Sequence, residues 1–299
     1  MISVVIPTYK NKEETIINLK HNLPFFKGCE IVVINDNPQE RLRPDFDLFP
    51  QIKLIENDIN LGFAGAVHKA IQQTKGDFIL LLNNDVLLND NSFLNATNML
   101  QKDENLFAVS FAQKEKDSTI VGKNILYWEK GFFQHKKAYD VKTGINGWAE
   151  GGSCIVNKKL YEKIGGFDPL YSPFYWEDID LSYRAWKAGY KIIFDPRIQV
   201  IHHHESTIGK LFEKNQIQII AYRNQFIFIW KNIQDTSLLI NHFAYLPFFL
   251  ISQIIKGHFS IVQGLISALF LLPSIIKKRH IIFKNNTFSD ISILNKFRE

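Results

Sequence analysis

Residues 147–182 read GWAEGGSCIVNKKLYEKIGGFDPLYSPFYWEDIDLS. A glycine-rich turn, a short helical stretch, a second glycine pair and an aromatic run lead to Trp176-Glu177-Asp178. The acidic pair opens a predicted helix, and Gly189 closes it. Carboxylates at a helix start behind aromatic walls suit binding a polyol and deprotonating one of its hydroxyls. Upstream, ISVVIPTY at the start of the chain reads as a buried strand stopped by Pro7. FILLLNND, from Phe78, is another strand, and it ends in an acid.

Strands are also expected at Glu30–Ile34 and Ile52–Ile55. A helix is expected after Asn11, with Asn11 as cap and Glu14 completing a capping box. Another should start near Gly62 and close near Gly76. Strand, helix, strand, strand, helix, strand implies an α/β fold with parallel pairings. Ligands of such sheets bind beyond the carboxyl ends of the strands. Pro7, Thr8, Tyr9, Asp36 and Asp85 all lie just past such ends, so topology brings three segments to one rim. Residues 86–146 are less regular. Apolar stretches at Lys191–Phe194 and Arg197–Ile201 precede three histidines, His202 to His204.

The chain has 299 residues, 46% hydrophobic and 22% charged, which supports a packed core and argues against disorder. A net charge of +5 is too mild to imply nucleic acid. Two cysteines, Cys29 and Cys154, offer neither a disulfide framework nor a metal pattern, and a reducing compartment follows. The chain opens directly on a strand, so no signal peptide is expected.

Taken together, these motifs resemble those of family-2 glycosyltransferases, in that family's order over roughly residues 1–206. The resemblance implies a GT-A fold, a Rossmann-like nucleotide-binding mixed sheet, followed by a C-terminal helical region. Residues 1–85 would form the nucleotide-sugar half, 86–206 the acceptor half, and 207–299 a helical, membrane-associating region. Asn35-Asp36-Asn37-Pro38 matches the family's acidic turn in its second acid, and Asp36 would read a pyrimidine base or its ribose. Asn60 and Gly62 match the string that approaches the diphosphate, although His68 stands where asparagine is usual. Asn83-Asn84-Asp85 matches the D-x-D metal motif in reduced form. Asp85 would ligate Mg2+ or Mn2+, and Asn84 would lie on the donor.

Val200-Ile201-His202 matches the position of a histidine that completes the metal sphere, with His204 as second choice because it shares the face. In the Glu177-Asp178 pair, Asp178 would be the base and Glu177 would hold hydroxyls. The helix dipole predicts an ionised Asp178 at neutral pH. Gly151 and Gly152 would border the donor sugar. Trp148, Tyr175 and Trp176 would stack on sugars on the acceptor side.

Family members most like the stretch from Gly165 to His202 are rhamnosyltransferase-type enzymes of bacterial surface polysaccharide assembly. They imply an inverting transfer from a UDP- or dTDP-linked sugar, rhamnose included, to a glycan or lipid-linked acceptor, in the cytoplasm at the inner face of the membrane. A sugar nucleotidyltransferase has a related sheet, but it wants a glycine-rich loop after the first strand, and Pro7 to Lys12 contains no glycine. A non-catalytic module binding saccharide or a membrane partner on the same fold is the other alternative, and Asp36, Asp85 and Asp178 weigh against it.

Residues 243–276 hold two apolar stretches split by Lys256-Gly257-His258 and followed by Lys277-Lys278-Arg279. The second is only marginally long enough to cross a bilayer. Helices lying on the membrane surface, with basic residues at anionic headgroups, are expected. Helices that cover the catalytic part or form a homodimer are the alternative.

Overall fold

The computed structural model describes residues 1–202, 209, 211–283 and 287–298. Its centre is a run of apolar strands whose sequences leave no polar face. These are β1 (Ile2–Thr8), β2 (Glu30–Asn35), β3 (Ile52–Glu56) and β4 (Phe78–Leu82), joined as parallel neighbours in the order β4-β1-β2-β3. Side chains alternate across a strand. Val5, Val32, Ile34, Ile79 and Leu81 therefore enter one core, and Val4, Ile6, Ile31, Val33, Leu80 and Leu82 enter another on the opposite face. Helices α1 (Lys12–Asn22) and α4 (Phe93–Lys102) supply Leu19, Phe93 and Leu100 to the second core. Helix α3 (Gly62–Gln72) supplies Ala66, Val67 and Ala70 to the first. A four-residue helix, α2 (Arg43–Phe46), precedes β3.

Beyond β4 the pairing is mostly antiparallel, with β6 and β12 parallel to each other. β5 (Val86–Leu88), β6 (Leu106–Lys114), β7 (Ile120–Val121), β10 (Gly144–Ile145), β11 (Ser153–Asn157) and β12 (Lys191–His202) complete one mixed sheet. The central order is β10-β12-β6-β11-β4-β1-β2-β3. Strands β8 (Asn124–Glu129) and β9 (Phe132–Lys137) form a separate hairpin. Helices α5 (Lys158–Lys163) and α6 (Glu177–Lys187) flank the loop of residues 164–176.

Three local expectations change. Asn11 makes no side-chain cap, because Lys10 and Asn11 both take left-handed backbone conformations, φ 62° and 54°. Helix α3 stops at Gln72, four residues before Gly76. The two apolar stretches before the histidines are one strand, β12, with an irregularity between Asp195 and Gln199 where Arg197 folds back on the Asp195 carboxylate. His204 lies outside the described residues.

The C-terminal part is helical: α7 (Lys214–Asn232), α8 (Thr236–Ile255), α9 (Ser260–Phe270), α10 (Leu272–Phe283) and α11 (Asp290–Leu294). It shares the core on one face of the sheet, through Phe226, Phe228, Ile261, Ile275, Ile293 and Phe297. Buried charge joins it further. Lys231 of α7 lies 2.7 Å from both Asp168 and Asp180, and Lys278 of α10 also pairs with Asp168. Asp290 accepts from Tyr183 and Lys187 of α6 at 2.6 and 2.8 Å.

The candidate active site

A cavity of about 540 Å³ opens where the loop before α6 meets the ends of β4, β6 and β12. Trp148, Gly151, Gly152, Tyr175, Trp176, Glu177, Asp178 and His202 line it, eight of the residues singled out from the sequence. Phe63, Asn83, Gln113, His135 and Glu150 line it as well, and sequence reasoning did not assign them a part. Asn83 sits in a motif that was recognised, yet it is Asn83 rather than Asn84 that faces the cavity.

The acidic first turn of α6 divides by role. Asp180 is fully buried and structural, accepting from Tyr171, Arg184 and Asn232 at 2.7–2.8 Å. Glu177 and Asp178 face the cavity. Burial, then the charge of Asp178, pushes the Glu177 carboxyl well above its ordinary range, and its buried Oε2 has no hydrogen-bond partner. Asp178 accepts from the Ile179 N–H at 2.8 Å. Burial first, and the Glu150 charge second, still raise its pKa to about 7. The helix start does favour the anion, through the N–H groups of Ile179 and Asp178, and the Gly151 N–H adds to it from the turn before β11, but desolvation outweighs them. Full ionisation of Asp178 at neutral pH is therefore corrected: near pH 7 the carboxyl is poised between its two forms.

The loop that delivers this pair is held from behind. Tyr175 and Trp176 have left-handed φ values of 71° and 75°, unusual for aromatic residues. The fully buried Asn224 of α7 donates from Nδ2 to the carbonyls of Tyr171, Phe174 and Tyr175 at 2.8–2.9 Å. Arg223 donates to Ser172 O. His135 lies edge-on to Trp148 at 5.1 Å and to Trp176 at 5.3 Å, and burial lowers its pKa, favouring the neutral ring.

The strand-end residues are more committed than their sequence suggests. Asp36 is buried and accepts from Asn57 Nδ2 at 2.8 Å and from the Leu61 N–H at 2.9 Å, so it pins the loop before α3. Burial raises its pKa despite those bonds. Asn60 accepts from the Gly62 N–H at 2.9 Å. Thr8 and Asn84 form a cluster with Thr15, in which Asn84 Nδ2 donates to Thr15 Oγ1 at 2.8 Å. Pro7 ends β1, and Tyr9 carries Lys10 Nζ 5.4 Å from its ring centre.

Two glycines also have protein reasons. Gly62 has φ 71°, and a Cβ there would lie 2.8 Å from Ser172 Oγ. A Cβ on Gly152 would strike the Asn83 side chain.

At the far wall, His202 Nε2 lies 3.3 Å from Asp85 Oδ1. That oxygen is buried without a hydrogen-bond donor. A carboxylate and an imidazole facing each other fit a hard divalent cation. Among the described residues no group of three His, Cys, Asp or Glu gathers around one point, so the described residues place two candidate ligands there.

Comparison with known proteins follows this geometry. The family model described as glycosyl transferase family 2 matches residues 3–165. The chain belongs to glycosyl transferase family 2. Over 64 residues this family-2 chain is 36% identical to the N-acetylglucosaminyl-diphospho-decaprenol L-rhamnosyltransferase of Mycobacterium tuberculosis, covering 21% of this chain and 20% of that one. Over 219 residues it is 23% identical to the poly-beta-1,6-N-acetyl-D-glucosamine synthase of Staphylococcus epidermidis, covering 71% and 52%. It thus spans about half the length, or less, of these relatives. GalNAc-T7, solved with UDP, GalNAc and Mn2+, superposes with a TM-score of 0.63 at 16% identity, over 79% of this chain and 48% of that one. The mannosyltransferase of Pyrobaculum calidifontis, solved with GDP-Man and Mn2+, superposes with a TM-score of 0.53 at 16% identity, over 99% and 78%. The fold is GT-A.

Proposed function

We propose that the protein transfers a sugar, with inversion, from a UDP- or dTDP-linked donor to a glycan or lipid-linked acceptor of a surface polysaccharide. Rhamnose is the sugar that the mycobacterial relative's name supports. The observation that carries this reading is Asp178, poised near neutrality in an aromatic-walled cavity. A base must accept a proton at the operating pH, and a pKa near 7 serves that need.

In the proposed step an acceptor hydroxyl attacks the anomeric carbon. Its proton passes to an Asp178 carboxylate oxygen, the new C–O bond forms, and the bond to the diphosphate breaks with its electron pair on the leaving oxygen. Glu177, whose raised pKa favours the protonated form, donates to a sugar hydroxyl. Trp148, Trp176 and the exposed Tyr175 give the sugars apolar faces. Asp85 and His202 would hold Mg2+ or Mn2+, which would offset the charge growing on the diphosphate. Asp36, Asn60 and Gly62 would act on the nucleotide chiefly by shaping the loop that meets it.

We also propose peripheral contact with the inner face of the membrane. Among the described residues one helix, Thr236–Ile255, is long and apolar enough to cross a membrane, and α9 and α10 are bent by 66° at their junction. Helix α8 nevertheless bonds inward through Asn241 and His242. Its outer face, with that of α9, exposes Phe248, Ile255 and Phe270 to 74%, 80% and 83%. No acid occurs from Thr236 to Ser289. Of the basic triplet, Lys278 and Arg279 turn inward to Asp168 and to the Trp230 carbonyl, leaving Lys277, with Lys256, for headgroups.

A donor panel tests the function: UDP-, dTDP-, GDP- and CMP-sugars with Mg2+ or Mn2+, followed by thermal shift and donor hydrolysis, each repeated with EDTA. A metal-dependent response to one uridine or thymidine sugar is expected. A flat panel from folded protein, with and without acceptor lipid, refutes it. Co-sedimentation with phosphatidylglycerol but not phosphatidylcholine vesicles, weakened by Lys256→Glu with Lys277→Glu, checks the membrane contact.

A further inference from the structure

Gln113 is fully buried on β6, between the two chemical ends of the cavity. Its amide nitrogen donates to Glu150 Oε2, and Asn124 Nδ2 donates to Glu150 Oε1 at 3.0 Å. Its amide oxygen lies 2.6 Å from His202 Nδ1. The polarity of this chain is forced. A carboxylate accepts and does not donate, so the Gln113 nitrogen faces Glu150 and its oxygen faces the histidine. The histidine nitrogen at that contact must then carry hydrogen. In the neutral ring the remaining lone pair belongs to Nε2, which is the atom turned towards Asp85. A proton on Nε2 or a cation between the two atoms would each make this 3.3 Å contact favourable.

We propose that Gln113 is a positioning residue that fixes His202 with Nε2 presented to Asp85 as a cation ligand, while its other end holds Glu150 in the cavity wall. This role presupposes the cation proposed above. It ties the donor end of the site to the acceptor end through one amide: the side chain that orients the metal ligand also orients the carboxylate whose charge is felt by Asp178. A hydrogen-bond acceptor on the far nitrogen of a ligating histidine fixes its tautomer and ring orientation in this way.

The test is a Mn2+ titration of the full-length protein, with and without UDP, following free Mn2+ by electron paramagnetic resonance. Gln113→Leu removes the acceptor and is expected to weaken Mn2+ binding by roughly 10- to 100-fold. Gln113→Glu combined with Glu150→Gln keeps an oxygen for Nδ1–H and a donor–acceptor pair across the cavity wall, and should bind close to wild type. Should the leucine variant fail to fold, Gln113→Asn serves, since it is one methylene too short to reach both partners and should also bind at least about tenfold more weakly. Wild-type Mn2+ affinity in folded Gln113→Leu or Gln113→Asn overturns the role of Gln113 and leaves the cation reading standing. Absence of Mn2+ binding by the wild type removes the cation reading, and this role with it.

Discussion

Asp178→Asn is expected to stabilise the fold at neutral pH while it abolishes transfer. The carboxyl is raised from 3.8 to about 7, by burial first and by the Glu150 charge second. The native chain therefore binds this proton more tightly than the unfolded chain does. The sign follows from linkage: stability falls as pH rises from about 4 to about 7 and then levels off. The gap of roughly three pK units, at about 1.4 kcal/mol each, caps the cost at about 4 kcal/mol. Asparagine has nearly the same shape, stays neutral, and can still accept from the Ile179 N–H. It also relieves the charge that helps to push Glu177 upward.

The stability of the variant minus that of the wild type should be under about 1 kcal/mol at pH 4, climb through pH 5 and 6, and level above pH 7.5 at about 2–4 kcal/mol. Urea unfolding followed by the fluorescence of the five tryptophans measures it. Most other titrating groups are common to both proteins and cancel in the difference. A flat difference between pH 4.5 and 8 would show that Asp178 is an ordinary solvated carboxylate, and the argument for it as a base poised near neutrality would fail.

Glu150→Gln removes a charge that raises Asp178, so the rise of kcat/KM with pH, expected near 7 in the wild type, should move to lower pH; an unmoved profile denies that coupling. Asn224→Ala leaves three loop carbonyls without their donor and should cost about 1–3 kcal/mol and lower kcat, with nucleotide binding retained in a calorimetric titration. Lys231→Met removes a cation shared by Asp168 and Asp180, which keep Lys278 and Arg184, and should cost at most about 3–5 kcal/mol in urea unfolding at pH 7. Both carboxyls are held below their usual range. Their pairing therefore stabilises at neutral pH and is lost only as pH falls through those depressed values, so the penalty of Lys231→Met should shrink in strong acid.

The parallel half of the sheet was legible because its strands are buried on both faces. Continuous runs such as Val4 to Ile6 and Ile79 to Leu82 admit few other readings. The Glu177-Asp178 pair was legible because it stands at a helix start after an aromatic run. Residues 86–146 resisted because β5, β7 and β10 are only two or three residues long and carry no period. Gln113 and Glu150 lie 37 residues apart and meet only through the folded sheet. Helix α7 hid its part because its buried face carries Asn224, Gln225, Lys231 and Asn232, which a search for an apolar stripe assigns to solvent. At Asp178 a local rule, the helix dipole, lost to desolvation, which a sequence does not display.

Helix α7 has a consequence for comparing relatives. The family model matches residues 3–165 and stops before the loop that Asn224 and Arg223 hold. The strand ends of the proposed donor side lie inside the matched region, while the back of the proposed acceptor wall is held by a helix outside it. Two members could agree at every motif up to Gly165 and still present different acceptor walls, because a change on one buried helical face re-aims Tyr175 and Trp176 without touching a motif. Acceptor choice can diverge there while the donor machinery stays recognisable.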